Sequence, residues 1–147
     1  MKTIKTADCV SAYSILKDSS LGKMPGADKI NVIKTIKSIK SIAEDFINFR
    51  TDAAERLRGD NHDEMTKLAT QWQRDGDTAL TDDEKVAVNE YFSRYGKELK
   101  DCLDEESNKE HEVDVRTISE DAYGLLLEAN DKWSVEQIML LQDCMCD

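Results

Sequence analysis

The sequence predicts a mainly α protein: a long antiparallel helical hairpin with short N- and C-terminal helices and a two-stranded β-ribbon at one end. Three observations carry this. Only one proline and six glycines punctuate 147 residues, so helices can run for many turns without a breaker. Apolar residues recur at spacings of three and four through most of the chain, the period of a helix face. Two start signals, Thr81 to Glu84 and Ser134 to Gln137, set a hydroxyl three residues before a carboxylate or amide, so that each satisfies a backbone donor beside the other. The length fits one domain over residues 1–147, with enough apolar content, 39%, to form a core without metals or disulfides.

The elements follow in order. Lys2 to Lys5 alternates polar and apolar residues as a short strand does. Thr6 and Asp8 then cap a helix with Val10, Tyr13 and Leu16 along one side. Lys23-Met24-Pro25-Gly26 turns the chain, with Pro25 at a helix start, where its missing N–H has no bond to make. Residues 27–58 hold no breaker, which predicts roughly 30 helical residues over about 45 Å. Through the first half an isoleucine stands at every third position, Ile30, Ile33, Ile36, Ile39 and Ile42. At about 100° per residue these retreat ~60° per step and sweep about 240° around the helix. Such an arc needs several partners, which makes Ile33 and Ile36 organisers of a central hub. Ala43, Phe46, Ile47, Ala54 and Leu57 continue as one stripe facing the hairpin mate, with Phe46 as its core aromatic, and Gly59 suits the stop.

A short helix with Met65, Leu68 and Trp72 precedes the second long helix, residues 81–110. Val88, Phe92, Tyr95, Leu99 and Cys102 form a narrow coiled-coil-like seam along it, with Phe92, Tyr95 and Leu99 as core-organising residues. Residues 111–147 form a terminal strand and helix segment. Glu112 to Val115 alternates as a half-buried strand and pairs with Lys2 to Lys5. Ser119 opens one helix, with Ile118 stapled onto Tyr123, and Ser134 opens the last, carrying Ile138, Leu141 and Met145.

Charge is uneven. The net charge is −11, yet residues 1–58 hold 11 Lys/Arg against 7 Asp/Glu while residues 59–147 hold 9 against 24. Halves of opposite sign attract when folded back, so Lys34 and Lys37 are expected to pair with the acidic C-terminal half, while Lys40, nearer the apolar arc, snorkels. Direct nucleic-acid binding is unfavourable at this charge, whereas exposed acids spaced along a helix can occupy a basic groove as a phosphate backbone does. Asp101, Asp104, Glu105 and Glu112 are that candidate interaction surface. No apolar run reaches the length of a signal peptide core or a membrane span, which predicts the cytoplasm and reduced thiols for Cys9, Cys102, Cys144 and Cys146.

Motifs that suggest chemistry resolve into plainer readings. The acids around Gly76 fail as a calcium loop, because glutamines 71 and 73 fall where the first and third ligands belong and Asp82 where a bidentate Glu is wanted. Arg58-Gly59-Asp60 reads as a helix C-cap. Cys144 and Cys146, two residues apart, and the lone His62 and His111 lack metal-ligand spacing. With no glycine-rich phosphate loop and no nucleophile elbow, the expectation is a non-enzymatic protein with no cofactor and no metal.

The order of Ala12-Tyr13, Lys23-Met24-Pro25, the Ile30 to Arg58 helix and the Glu112 to Ser119 alternation resembles small uncharacterised helical proteins of tailed bacteriophages and prophages, across most of the chain. The stretch with Trp72 and Asp75 to Glu84 reads as an insertion relative to that pattern. The resemblance implies a phage origin and a role by protein contact in the infected bacterial cell, and it transfers no catalytic residue. A virion structural or assembly accessory is the leading expectation, with a phage structural or host protein as partner, or further copies of the chain. An acidic inhibitor of a host defence protein is the rival.

Overall fold

In the computed structural model, which describes residues 1–147, strand β1 (Lys2–Lys5) pairs antiparallel with β2 (Glu110–Val113), Lys2 opposite Val113 and Lys5 opposite Glu110. The ribbon forms as its alternation predicts, but it is centred on Glu110–Val113 rather than on residues 112–115. Six helices complete the chain: α1 (Thr6–Leu16), α2 (Gly26–Arg56), α3 (His62–Asp75), α4 (Asp82–Ser107), α5 (Glu120–Ala129) and α6 (Val135–Met145). The fold is mainly α. Contacts group it into two compact units, Met1–Asn48 with Glu106–Asp147, and Phe49–Glu105.

The first unit gathers both chain ends. Its core joins Cys9, Ala12 and Leu16 of α1, Val32 and Ile39 of α2, Val113 of β2, Leu126 of α5, and Leu141 and Met145 of α6. The buried face of α1 is therefore Cys9–Ala12–Leu16; Val10 is only half-buried. Hydrogen bonds fasten the termini across the sequence. Lys2 Nζ donates to the carbonyls of Asp143 (2.9 Å) and Cys146, and the Ile118 amide donates to the Met145 carbonyl at 2.9 Å. Buried Thr35 accepts the Arg116 amide on Oγ1 at 3.0 Å. Asn130 clamps the loop after α1, accepting from the Ser20 amide at 2.8 Å and donating to its carbonyl at 2.7 Å. Gly22 lies in that loop at φ 50°, where a Cβ would stand 2.8 Å from Ala129 Cβ, so the close approach requires glycine. Both C-terminal helices start on their predicted caps: Ser119 Oγ accepts the Ala122 amide, and Ser134 and Gln137 form a complete capping box.

The isoleucine ladder is not the buried face of α2. Val32 (0% exposed), Thr35 (1%), Ile39 (2%) and Ala43 (0%) are the buried stripe of α2, while Ile30 (54%) and Ile33 (42%) face solvent. Spacings of three, four and four keep one face within a narrow arc, whereas a strict spacing of three rotates off it. Ile33 is thus not a core organiser. Ile36 and Ile42 pack against the core as half-buried flanks, and Phe46 is half-buried.

In the second unit, the end of α2 and the middle of α4 run antiparallel: Tyr95 Oη donates to the Ala54 carbonyl at 2.7 Å, and the Gly59 amide donates to Tyr91 Oη at 3.2 Å. Met65, Leu80, Val88 and Tyr91 are buried, with Leu68, Trp72, Phe92 and Tyr95 packed around them. Tyr91, one residue before the predicted Phe92, is the buried aromatic of α4; Leu99 is half-buried and stands outside this cluster. The Thr81–Glu84 capping box forms in both directions, 2.9 and 3.2 Å. Helix α2 ends at Arg56, and positive φ among glycines occurs only at Gly22 and Gly76. Gly59 is therefore not a left-handed cap. Its role is closeness to Tyr91, whose Cε2 would lie 3.3 Å from an added Cβ.

Candidate interaction surfaces

The four predicted acidic site residues are all exposed, but they do not form one row. Asp101, Asp104 and Glu105 lie on α4 within the second unit, whereas Glu112 lies on β2 in the first, its Oε1 accepting from Thr3 Oγ1 at 2.7 Å. Along the exposed side of α4, cations stand among the acids. Glu90, Arg94, Lys97, Asp101 and Asp104 succeed one another at helical spacing, all exposed, and Lys100 Nζ lies 2.6 Å from Asp104 Oδ2. That hydrogen bond raises the Lys100 pKa. A stripe of mixed sign projects a weaker field than a run of bare carboxylates.

The expected pairing of the α2 lysines with the acidic C-terminal half does not form. Lys34 and Lys37 are exposed and form no ion pair. Lys40, also exposed, lies 3.8 Å from Glu44 one turn on. Other ion pairs are equally local, Lys109–Glu106 at 2.7 Å and Arg116–Asp114 at 3.4 Å. The ion pairs that form thus join residues close in sequence, the lysine pairs at i,i+3 and i,i+4 as helix geometry favours, and none joins the two halves.

Of the exposed large apolar side chains, Met1, Ile47 and Val86 stand singly, whereas four form pairs on two helices of the first unit: Ile30 and Ile33 on α2, Val135 (72% exposed) and Met139 (59%) on α6. Single exposed apolar residues are ordinary, but pairs at i,i+3 and i,i+4 make a continuous apolar strip on one helix face. The ladder contained this signal for α2, because residues that rotate off the buried stripe must emerge elsewhere. For α6 the predicted face, Ile138, Leu141 and Met145, is the buried one, and Val135 and Met139 are what remains. Between α1 and α6 runs an open groove of about 410 Å³, lined by Val10, Ser14, Ile15, Glu136 and Leu140 among others.

The remaining candidate groups are engaged structurally. Cys9, Cys144 and Cys146 are buried free thiols. Burial pushes Cys9 and Cys144 up to about 11, helped by the neighbouring Cys144 at Cys9 and by Asp8 at Cys144; burial also raises Cys146. Each is thereby held as the neutral, weakly nucleophilic thiol. Tyr123, pushed up to about 12 mainly by burial, donates its hydroxyl to the Ile138 carbonyl. His62 Nδ1 lies 2.6 Å from Tyr91 Oη among the rings of Tyr91, Phe92 and Tyr95, and His111 Nε2 lies 2.7 Å from Thr6 Oγ1. Sequence spacing marked both histidines as lone because their partners are 29 and 105 residues away. Near Gly76, Asp77 accepts the Trp72 indole N–H at 2.9 Å and Arg74 pairs with Asp75 at 3.0 Å. No three His, Cys, Asp or Glu side chains converge as a metal site, and no helix is long and apolar enough to cross a membrane.

Compared with known proteins, the chain matches no family model, no curated protein and no solved structure.

Proposed function

We propose that this chain is a non-enzymatic, phage-encoded protein that acts by protein–protein contact in the infected bacterial cell, as a structural or assembly accessory of the virion. The observation that carries the contact reading is the pairing of exposed apolar side chains on α2 and α6, Ile30 with Ile33 and Val135 with Met139. Apolar strips on otherwise charged helices mark surfaces that another protein covers. The phage assignment rests on the resemblance of Ala12-Tyr13, Lys23-Met24-Pro25 and Glu112 to Ser119 to phage and prophage proteins. Mass spectrometry of purified particles of the encoding phage tests the reading, and the chain is expected among the particle proteins. Its absence there, together with salt-sensitive capture of a basic nuclease, would replace this reading with that of an acidic inhibitor acting through Asp101, Glu105 and their neighbours.

A further inference from the structure

The two exposed strips of the first unit are complementary in charge as well as alike in apolar character. Taking about 100° per residue, Ile30, Ile33, Lys34 and Lys37 of α2 share an arc of about 100° opposite the buried Val32–Thr35–Ile39 stripe, and all four are exposed. By the same geometry Val135, Glu136, Met139 and Asp143 of α6 share an arc of about 100° opposite the buried Leu141, Cys144 and Met145, and all four are exposed. One face offers two isoleucines and two lysines, the other a valine, a methionine and two acids. The strips are also matched in length, since seven and eight residue steps of helix rise about 10 and 12 Å.

Lys34 and Lys37 form no ion pair within their own chain, although they sit in a protein of net charge −11. A partner that covers Ile30 and Ile33 while presenting carboxylates beside its own apolar residues would complete this face, and α6, with Glu136 and Asp143 two turns apart on either side of Met139, is such a surface. We infer that the chain self-associates, the α2 face of one copy seated on the α6 face of the next, isoleucines against Val135 and Met139 and lysines against Glu136 and Asp143. The inference deepens the contact reading by naming a second copy as partner. It is separable from that reading, since incorporation into particles and self-association in solution are measured independently.

Sedimentation of the purified full-length chain across a concentration series is the test. The weight-average mass should rise to at least twice the 16.7 kDa of one chain, and a mass that stays at 16.7 kDa at every concentration overturns the inference. Reversing one face, with Lys34→Glu and Lys37→Glu, or the other, with Glu136→Lys and Asp143→Lys, should each hold the chain at the single-chain mass, with the helical circular dichroism retained. Mixing the two reversed proteins should restore association, because the acidified α2 of one then meets the basic α6 of the other. Restoration cannot arise from misfolding. Association that persists in either reversed protein alone, or a mixture that stays dissociated, places any contact elsewhere and rejects this one.

Discussion

The two units hold together by different chemistry. In the first, Leu16, Ile39, Leu126, Leu141 and Met145 are 2% exposed or less, and they come from both ends of the chain. In the second only Ala53, Met65, Leu80, Val88 and Tyr91 are buried; half-exposed rings surround the last four, and phenol hydroxyls bond to Ala54, Gly59 and His62. A close-packed aliphatic core loses stability through cavities, in proportion to the volume removed. A small aromatic cluster with directional bonds loses it through single hydroxyls. Each unit also carries one of the chain's two tryptophans, Trp133 against the first core and Trp72 against the second, so a Trp→Phe change at either leaves a fluorescence probe of the other.

That contrast sets the order of expected effects. Leu126→Ala should cost the first unit about 3 kcal/mol, the cavity cost of a fully buried leucine, read by Trp133 fluorescence in urea; a loss under about 1 kcal/mol would show that the core collapses around the gap. Next comes pH. Cys9 and Cys144 are raised from 9.0 to about 11, so the folded state holds these protons more tightly than the unfolded one. Their contribution is fully present below about pH 9 and is lost as pH rises toward about 11, on the order of 2 kcal/mol per thiol. Comparison with Cys9→Ala isolates it from lysine titration: the variant's urea midpoint should fall less steeply over that window, and an unchanged slope would remove the buried-thiol account.

In the second unit Tyr91→Phe keeps the ring but strands the Gly59 amide and His62, an expected loss of about 1–2 kcal/mol reported by Trp72. Were Tyr91→Phe neutral, packing alone would hold this unit too, and the contrast would fail. Ser134→Ala should cost about 1 kcal/mol by removing the α6 cap, seen in the thermal midpoint. Smallest of all, Ile33→Ala should stay within about 0.5 kcal/mol, whereas Ile39→Ala in the same helix should behave like Leu126→Ala; equal effects would restore Ile33 to the core.

Much of this architecture is legible from local chemistry. The two capping boxes and the Ser119 cap rest on groups within a few residues of one another, whereas the ribbon joins Lys2 to Val113 and Lys5 to Glu110, and only the alternation within each strand is local. The helices start and end within three residues of their predicted bounds, α2 at 26–56 against 27–58 and α4 at 82–107 against 81–110. The interaction residues were less legible. Asp101, Asp104 and Glu105 are exposed as acidic runs usually are, but the pairing of Lys100 with Asp104 and the distinct place of Glu112 on the ribbon depend on how α4 and β2 are set.

Local chemistry is enough to place the long helices to within a few residues and to mark two short alternating segments as strands, because caps, breakers and alternation act over a few bonds. Which of two equally apolar faces turns inward is a matter of long-range packing. Val32 and Ile33 are adjacent and differ by one methylene, yet one is sealed and the other is open to water. Hydrophobicity sets the free energy of burial for either residue, but a helix can turn only one of them toward a partner, and the packing of α1, α5 and α6 around Val32 and Ile39 fixes that rotation.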